Sequence, residues 1–176
     1  GHITLKSFDL FDSDTLYGGN KLIYPGLDGA HTFTIDNDTD GVLTIKNIIM
    51  EEETLCVDGN ICLNMGYKVK RIIPDSTENK YYYGSDVSYK VLNKETNYGA
   101  DFKTIAIPED EFVIEKGSSA ELTVLWKWLD DDANDYKIGE LANTNSSYKF
   151  YIGLDFIKEN ETCNIKQTTT TVATTK

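Results

Sequence analysis

The chain has 176 residues, 40 % hydrophobic and 26 % charged, with a formal charge of −12 at pH 7. That length is enough for one domain with a real core, and no break in composition argues for two. A charge of this sign argues against nucleic acid and anionic lipid as partners, since both repel it, and no apolar run approaches the roughly 20 residues that span a bilayer.

The N-terminus lacks a basic region followed by an apolar one, so the expectation for an exported protein is that its signal has been removed. From Gly1 to Phe11, the residues Ile3, Leu5, Phe8, Leu10 and Phe11 form a β-like segment whose alternation changes phase near Ser7, the mark of a bulge. Gly18-Gly19-Asn20 predicts a turn, and after Leu22-Ile23-Tyr24 the sequence Pro25-Gly26-Leu27-Asp28-Gly29 predicts a sharp reversal. His31 to Asp36 alternates around Phe33 and Ile35, and Asn37-Asp38-Thr39-Asp40-Gly41 leads to the β-branched run Val42 to Met50. The expectation is strand, turn, strand, with the second strand's partner on the Phe33 side.

Glu51-Glu52-Glu53 reads as a solvated strand end more readily than as a helical turn. Cys56 and Cys62 bracket a plausible turn, where a local disulfide and free thiols both stay open, and Cys163 is left without a partner in the chain. In Gly66 to Ile73, Tyr67, Val69, Arg71 and Ile73 share one face while Lys68, Lys70 and Ile72 share the other. Lysines there predict an exposed or edge strand, ended by Pro74. Tyr81-Tyr82-Tyr83 and Val87 to Leu92 predict a strand pair around Gly84-Ser85-Asp86, and Phe102 to Ile107 a short strand stopped by Pro108.

Phe112 to Ser119 predicts a strand and turn feeding Leu122-Thr123-Val124-Leu125-Trp126-Lys127-Trp128, which puts both tryptophans of the chain on one face with Leu122 and Val124. Each indole can bury roughly 150 to 250 Å², so this strand is expected to dominate the hydrophobic term. After the acidic stretch Asp130 to Asp135, a run from Tyr148 to Ile157 places Tyr148, Phe150, Ile152, Leu154 and Phe156 on one face, and the two runs read as neighbours in one sheet. Gln167 to Lys176 is mostly threonine, a linker or spacer first and an added strand second. Repeated strand patterns without an amphipathic helix predict an all-β fold: a two-sheet antiparallel β-sandwich with long loops and little helix, spanning 1–166, with a tail over 167–176.

Chemistry is sparse. His2 and His31 are the only histidines and lack the spacing of a zinc peptidase, and no nucleophile elbow or phosphate-cradling glycine loop occurs. Asp130, Asp131, Asp132 and Asp135 offer the hard oxygen ligands that calcium takes, although they do not follow the twelve-residue calcium loop; a solvated acidic loop is the plainer alternative. Asn37-Asp38-Thr39, Asn145-Ser146-Ser147 and Asn160-Glu161-Thr162 fit the N-glycosylation pattern, which a chain rich in Asn, Thr and Ser also produces by chance.

Two segments carry a family resemblance. Gly1-His2-Ile3-Thr4-Leu5, Tyr24-Pro25-Gly26, Thr32 to Asn37 and Val42 to Met50 resemble the opening of the TasA and camelysin family of secreted Gram-positive proteins. Phe112 to Trp128 looks like the tail half of the same family, followed in clostridial members by an acidic loop and an Asp-x-x-x-Gly step, matched here by Asp135 to Gly139. The resemblance implies a jelly-roll-like sandwich, export through a dedicated signal peptidase, and assembly into matrix or surface fibres, one subunit's N-terminal segment completing a sheet of the next. One departure is that Gly1 falls at what looks like the family's first core strand, so the expectation is a missing or very short donor segment, either trimmed or replaced by a different mode of assembly. Camelysin-like proteins are described as metallopeptidases, but no zinc motif here carries that activity over.

The functional expectation is an extracellular structural protein of a biofilm matrix or cell surface, partnered with itself and other matrix components, without catalysis and without a cofactor unless calcium binds. The alternatives are a metallopeptidase of the camelysin kind and a calcium-dependent adhesin or carbohydrate-binding module.

Overall fold

Leu122, Val124, Trp126 and Trp128 have no exposed surface, while Thr123, Leu125 and Lys127 between them are partly exposed. The period-two pattern is therefore a strand with one face in the core. The structure, a computed structural model, describes residues 2–4, 8–9, 16–17, 20–21, 26–53, 56–57, 61–62, 64–92, 102–129, 149–159 and 173–175. Among the described residues there is no helix.

In chain order the first strands are β1 (His2–Thr4), β2 (Phe8–Asp9), β3 (Leu16–Tyr17), β4 (Asn20–Lys21), β5 (Asp28–Asp36) and β6 (Leu43–Glu53). Then come β7 (Cys56–Val57), β8 (Ile61–Cys62), β9 (Met65–Ile72), β10 (Asn79–Tyr83) and β11 (Lys90–Val91). The last are β12 (Phe102–Ala106), β13 (Val113–Ile114), β14 (Ser119–Trp128), β15 (Lys149–Lys158) and β16 (Ala173–Thr175). One sheet has the order β1-β15-β6-β12, with β2 also on β15 and β13 also on β6. The other has the order β10-β9-β14-β5-β16, with β11 also on β9, and every pairing is antiparallel. Two short hairpins, β3 with β4 and β7 with β8, stand apart.

The sheets pack face to face as a β-sandwich. Phe33, Ile35, Tyr67, Val69 and the β14 residues of one sheet close on Leu43, Ile48, Met50, Phe150, Ile152 and Leu154 of the other. Across the layers the Tyr67 and Phe150 rings sit 4.7 Å apart, and the Tyr67 hydroxyl donates to Glu52 Oε2 at 2.8 Å. That bond satisfies a buried phenol without breaking the apolar contact.

The alternation is as expected; several neighbours are not. β14 and β15 lie in facing sheets rather than side by side, because each buries its apolar face against the other layer. β6 does not pair with β5: the turn at Asn37–Gly41 carries the chain into the opposite sheet, where β6 lies between β15 and β12. β9 is no edge strand but lies between β14 and the strands β10 and β11, which pair with it rather than with each other. Lys68 sits 4.4 Å over the Tyr89 ring and donates to the Asp86 carbonyl, so its stem lies along the sheet and only its charge had suggested exposure.

At the N-terminus, β1 sets His2 against Asp155 whereas β2 sets Phe8 against Phe150, a one-residue slip between them that fits the phase change near Ser7. Ala173 to Thr175 pair with Ile35 to Phe33, so part of the threonine tail is a strand of the second sheet rather than a spacer.

Candidate functional site

β9 and β14 start as ordinary neighbours and then separate. Their ladder runs from Met65 opposite Trp128 to Lys70 opposite Thr123 and stops there. Beyond it β14 stays paired with β5 as far as Ser119 opposite Asp36, and β9 stays paired with β10 as far as Ile72 opposite Asn79. Continuing the register would set Arg71 against Leu122 and Ile72 against Glu121. Instead a cleft of about 450 Å³ opens there, lined among others by Arg71, Ile72, Ile114, Ser119, Ala120 and Glu121.

Local chemistry holds the two arms apart. On the β14 side, the turn at Lys116-Gly117, with Gly117 at φ +74, is tied down by Gly117 N donating to Asn37 O and Asn37 N donating to Ser118 O. The Asn37 side chain donates at 2.8 Å to the carbonyls of both Gly41 and Ile114, so one buried amide joins the crossing turn to β13 while the Asn37 backbone holds the residues before β14. On the β9 side the chain turns away at Pro74-Asp75, where Asp75 takes φ +58, and closes on β10 through Ile73 N to Glu78 O at 2.8 Å.

In an antiparallel strand alternate residues direct their N–H and C=O to the same flank. Among the described residues, no backbone bond joins Ser119–Leu122 to β9, so this stretch of β14 presents an open edge inside a sheet. Ser119 and Glu121 belong to the outward parity of β14 and Ala120 to the inward one, yet all three line the cleft. The opening therefore passes through the sheet toward the core.

Arg71 lies on the inward face of β9 and is 6 % exposed. Its guanidinium stacks 4.1 Å from the Phe112 ring and donates to the Glu111 carbonyl at 3.3 Å, and its Nε has no partner among the described residues. Nearby, Tyr82 also stacks on Phe112, at 5.9 Å, and Glu111 Oε1 receives Lys80 Nζ at 3.0 Å. The Tyr82 hydroxyl is pushed up to about 12, chiefly by burial; Arg71 opposes that shift and Glu111 adds to it.

Of the residues singled out from sequence, Asp130, Asp131, Asp132 and Asp135 lie outside the described residues, and among the described residues no group of three or more His, Cys, Asp or Glu could hold a metal. Cys56 stands opposite Cys62 in the β7–β8 hairpin register. Directly opposed antiparallel residues have Cα atoms about 4.5 to 5.5 Å apart, within the span of a disulfide. Asn37 is 2 % exposed with both amide hydrogens engaged, so it is a buried clamp and not an accessible glycan acceptor; Asn145 and Asn160 lie outside the described residues. Sequence reading passed over Arg71, although its place on the face of Tyr67 and Val69 was the available clue: a cation at core parity.

No protein-family model, curated protein or solved structure matches this chain.

Proposed function

We propose that the protein is an extracellular structural protein of a biofilm matrix or cell surface, and that it self-associates by β-strand addition at the fork between β9 and β14. The observation that carries this reading is the interrupted ladder: two strands, each secured on its far side, that part around a cleft where, among the described residues, their pairing with each other has ended. Unpaired strand edges are templates for another chain, and proteins ordinarily blunt or cover them. An extended segment from a second copy would bond to both arms, each backbone hydrogen bond adding roughly 0.5 to 1.5 kcal/mol. In this reading the protein works by holding on to its neighbours, turns over no substrate and requires no cofactor.

The test is electron microscopy of the purified protein beside Ala120→Phe, a variant that fills the cleft from an inward-facing position. Filaments from the parent protein and their loss in the variant, at an unchanged melting temperature, support the reading. A parent protein that stays monomeric at every concentration, or a variant that polymerises equally well, overturns it.

A further inference from the structure

We infer that the fork selects an extended peptide bearing a carboxylate side chain at the position that faces the core, with Arg71 as the group that binds it. This rests on the strand-accepting reading above and goes on to name what the accepted segment must carry.

Among the described residues, Arg71 is a charge without an ion-pair partner. A guanidinium has five N–H donors and stays ionised, and burying it unpaired is costly. Arg71 is 6 % exposed, makes one hydrogen bond, to a carbonyl, and pairs with no carboxylate among the described residues. Glu111, the nearby acid, directs Oε1 to Lys80 instead. Buried polar atoms without partners are uncommon in folded proteins, and Arg71 Nε is one, on a residue that lines the cleft.

Strand insertion would supply the missing partner. A segment bonded to the free flank of β9 places its own inward side chains beside those of β9, with Cβ atoms about 4.5 to 5.5 Å apart in directly opposed pairs. A glutamate there meets Arg71 in the depth of the cleft, where charge-assisted bonds are roughly twice as strong as neutral ones. The rim has the opposite sign: Asp75, Glu115 and Glu121 line the cleft from exposed positions. An acid on the outward parity of the incoming strand would face like charge, so the fork would read the phase of the peptide as well as its charge.

The test uses end-capped peptides of seven residues, built by alternating threonine and valine, with the central inward residue either glutamate or glutamine. A third peptide carries the glutamate one position away, on the outward parity. Binding is followed by calorimetry and by amide shifts of Ser119 to Leu122, in the parent protein and in Arg71→Gln. The glutamate peptide is expected to bind at least tenfold more tightly than the other two, and Arg71→Gln to bring that ratio to about one. Equal binding of the three peptides to the parent protein overturns this inference and leaves the fork as a strand acceptor. Absence of binding by all three, with no amide shifts, removes the strand-accepting reading and this inference with it.

Discussion

Every polar atom of the Asn37 side chain is engaged inside the protein. Its amide nitrogen donates to Gly41 O and Ile114 O, and its oxygen accepts from the backbone N–H and the hydroxyl of Thr39. Removing the amide takes a donor from two buried carbonyls, of which Gly41 O can still accept from the Thr39 hydroxyl, and frees that hydroxyl and the Thr39 N–H from their shared acceptor, with about 1 to 3 kcal/mol for each group left unpaired. Asn37→Ala is therefore expected to lose roughly 2 to 4 kcal/mol in denaturant unfolding, and to loosen the arm of the fork that begins at Gly117. Tyr82 gives a pH signature of definite sign. Its folded value is raised from 10.0 to about 12, so the folded protein keeps a proton that the unfolded chain releases. Stability present below pH 10 then falls as the pH rises toward about 12. Tyr82→Phe should flatten that part of a melting-temperature profile and, by removing a buried hydroxyl without a geometric hydrogen-bond partner among the described residues, should cost little at neutral pH. Asp40 acts in the opposite direction. Lys158 holds its carboxyl below the ordinary 3.8, so its contribution is present above that value and fades as the pH falls through the lowered one.

Among the strands, β14 and β5 show how closely two elements can be fitted. Gly29 stands opposite Trp126 in register, and a Cβ there would come within 2.5 Å of the indole Cζ2. Gly29→Val is thus expected to destabilise the sandwich by about 1 to 3 kcal/mol, read as a lower midpoint in chemical unfolding with the near-ultraviolet tryptophan signal disturbed. That β14 is a strand, and which of its faces is buried, was legible from Leu122 to Trp128 because alternation is a local property. Its neighbours were not legible. Leu122–Trp128 and Phe150–Phe156 have the same pattern whether they lie side by side or face to face, and only the three-dimensional path through Asn37–Gly41 and its counterparts decides. The lysines of β9 pointed the wrong way because charge at the tip of a long side chain says little about where its stem lies. The fork was the least legible feature, since it consists of a ladder that stops, and no residue type marks where hydrogen bonding ends.

Taken whole, the molecule is a closed sandwich with one interrupted sheet. Among the described residues, 22 buried hydrophobic side chains fill the core, 19 of them on strands of the two sheets, which makes a rigid frame for the fork's arms. The far side of the second sheet differs: β16 covers β5 from Phe33 to Ile35. Assembly through the fork would therefore join two unlike surfaces, an opening on one copy and a strand from another. Contacts of that heterologous kind propagate into fibres when the rotation between subunits does not close a ring. The parted ladder also makes the protein its own gauge of occupancy. The amides of Glu121 and Ser119 point to the flank where the ladder with β9 has ended, whereas those of Thr123, Leu125 and Lys127 point to the same flank where it persists. In dispersed molecules, deuterium should enter the first group far sooner than the second, and in assembled material the two groups should become equally slow, so one isotopic time course would report the fraction of sites that have been filled.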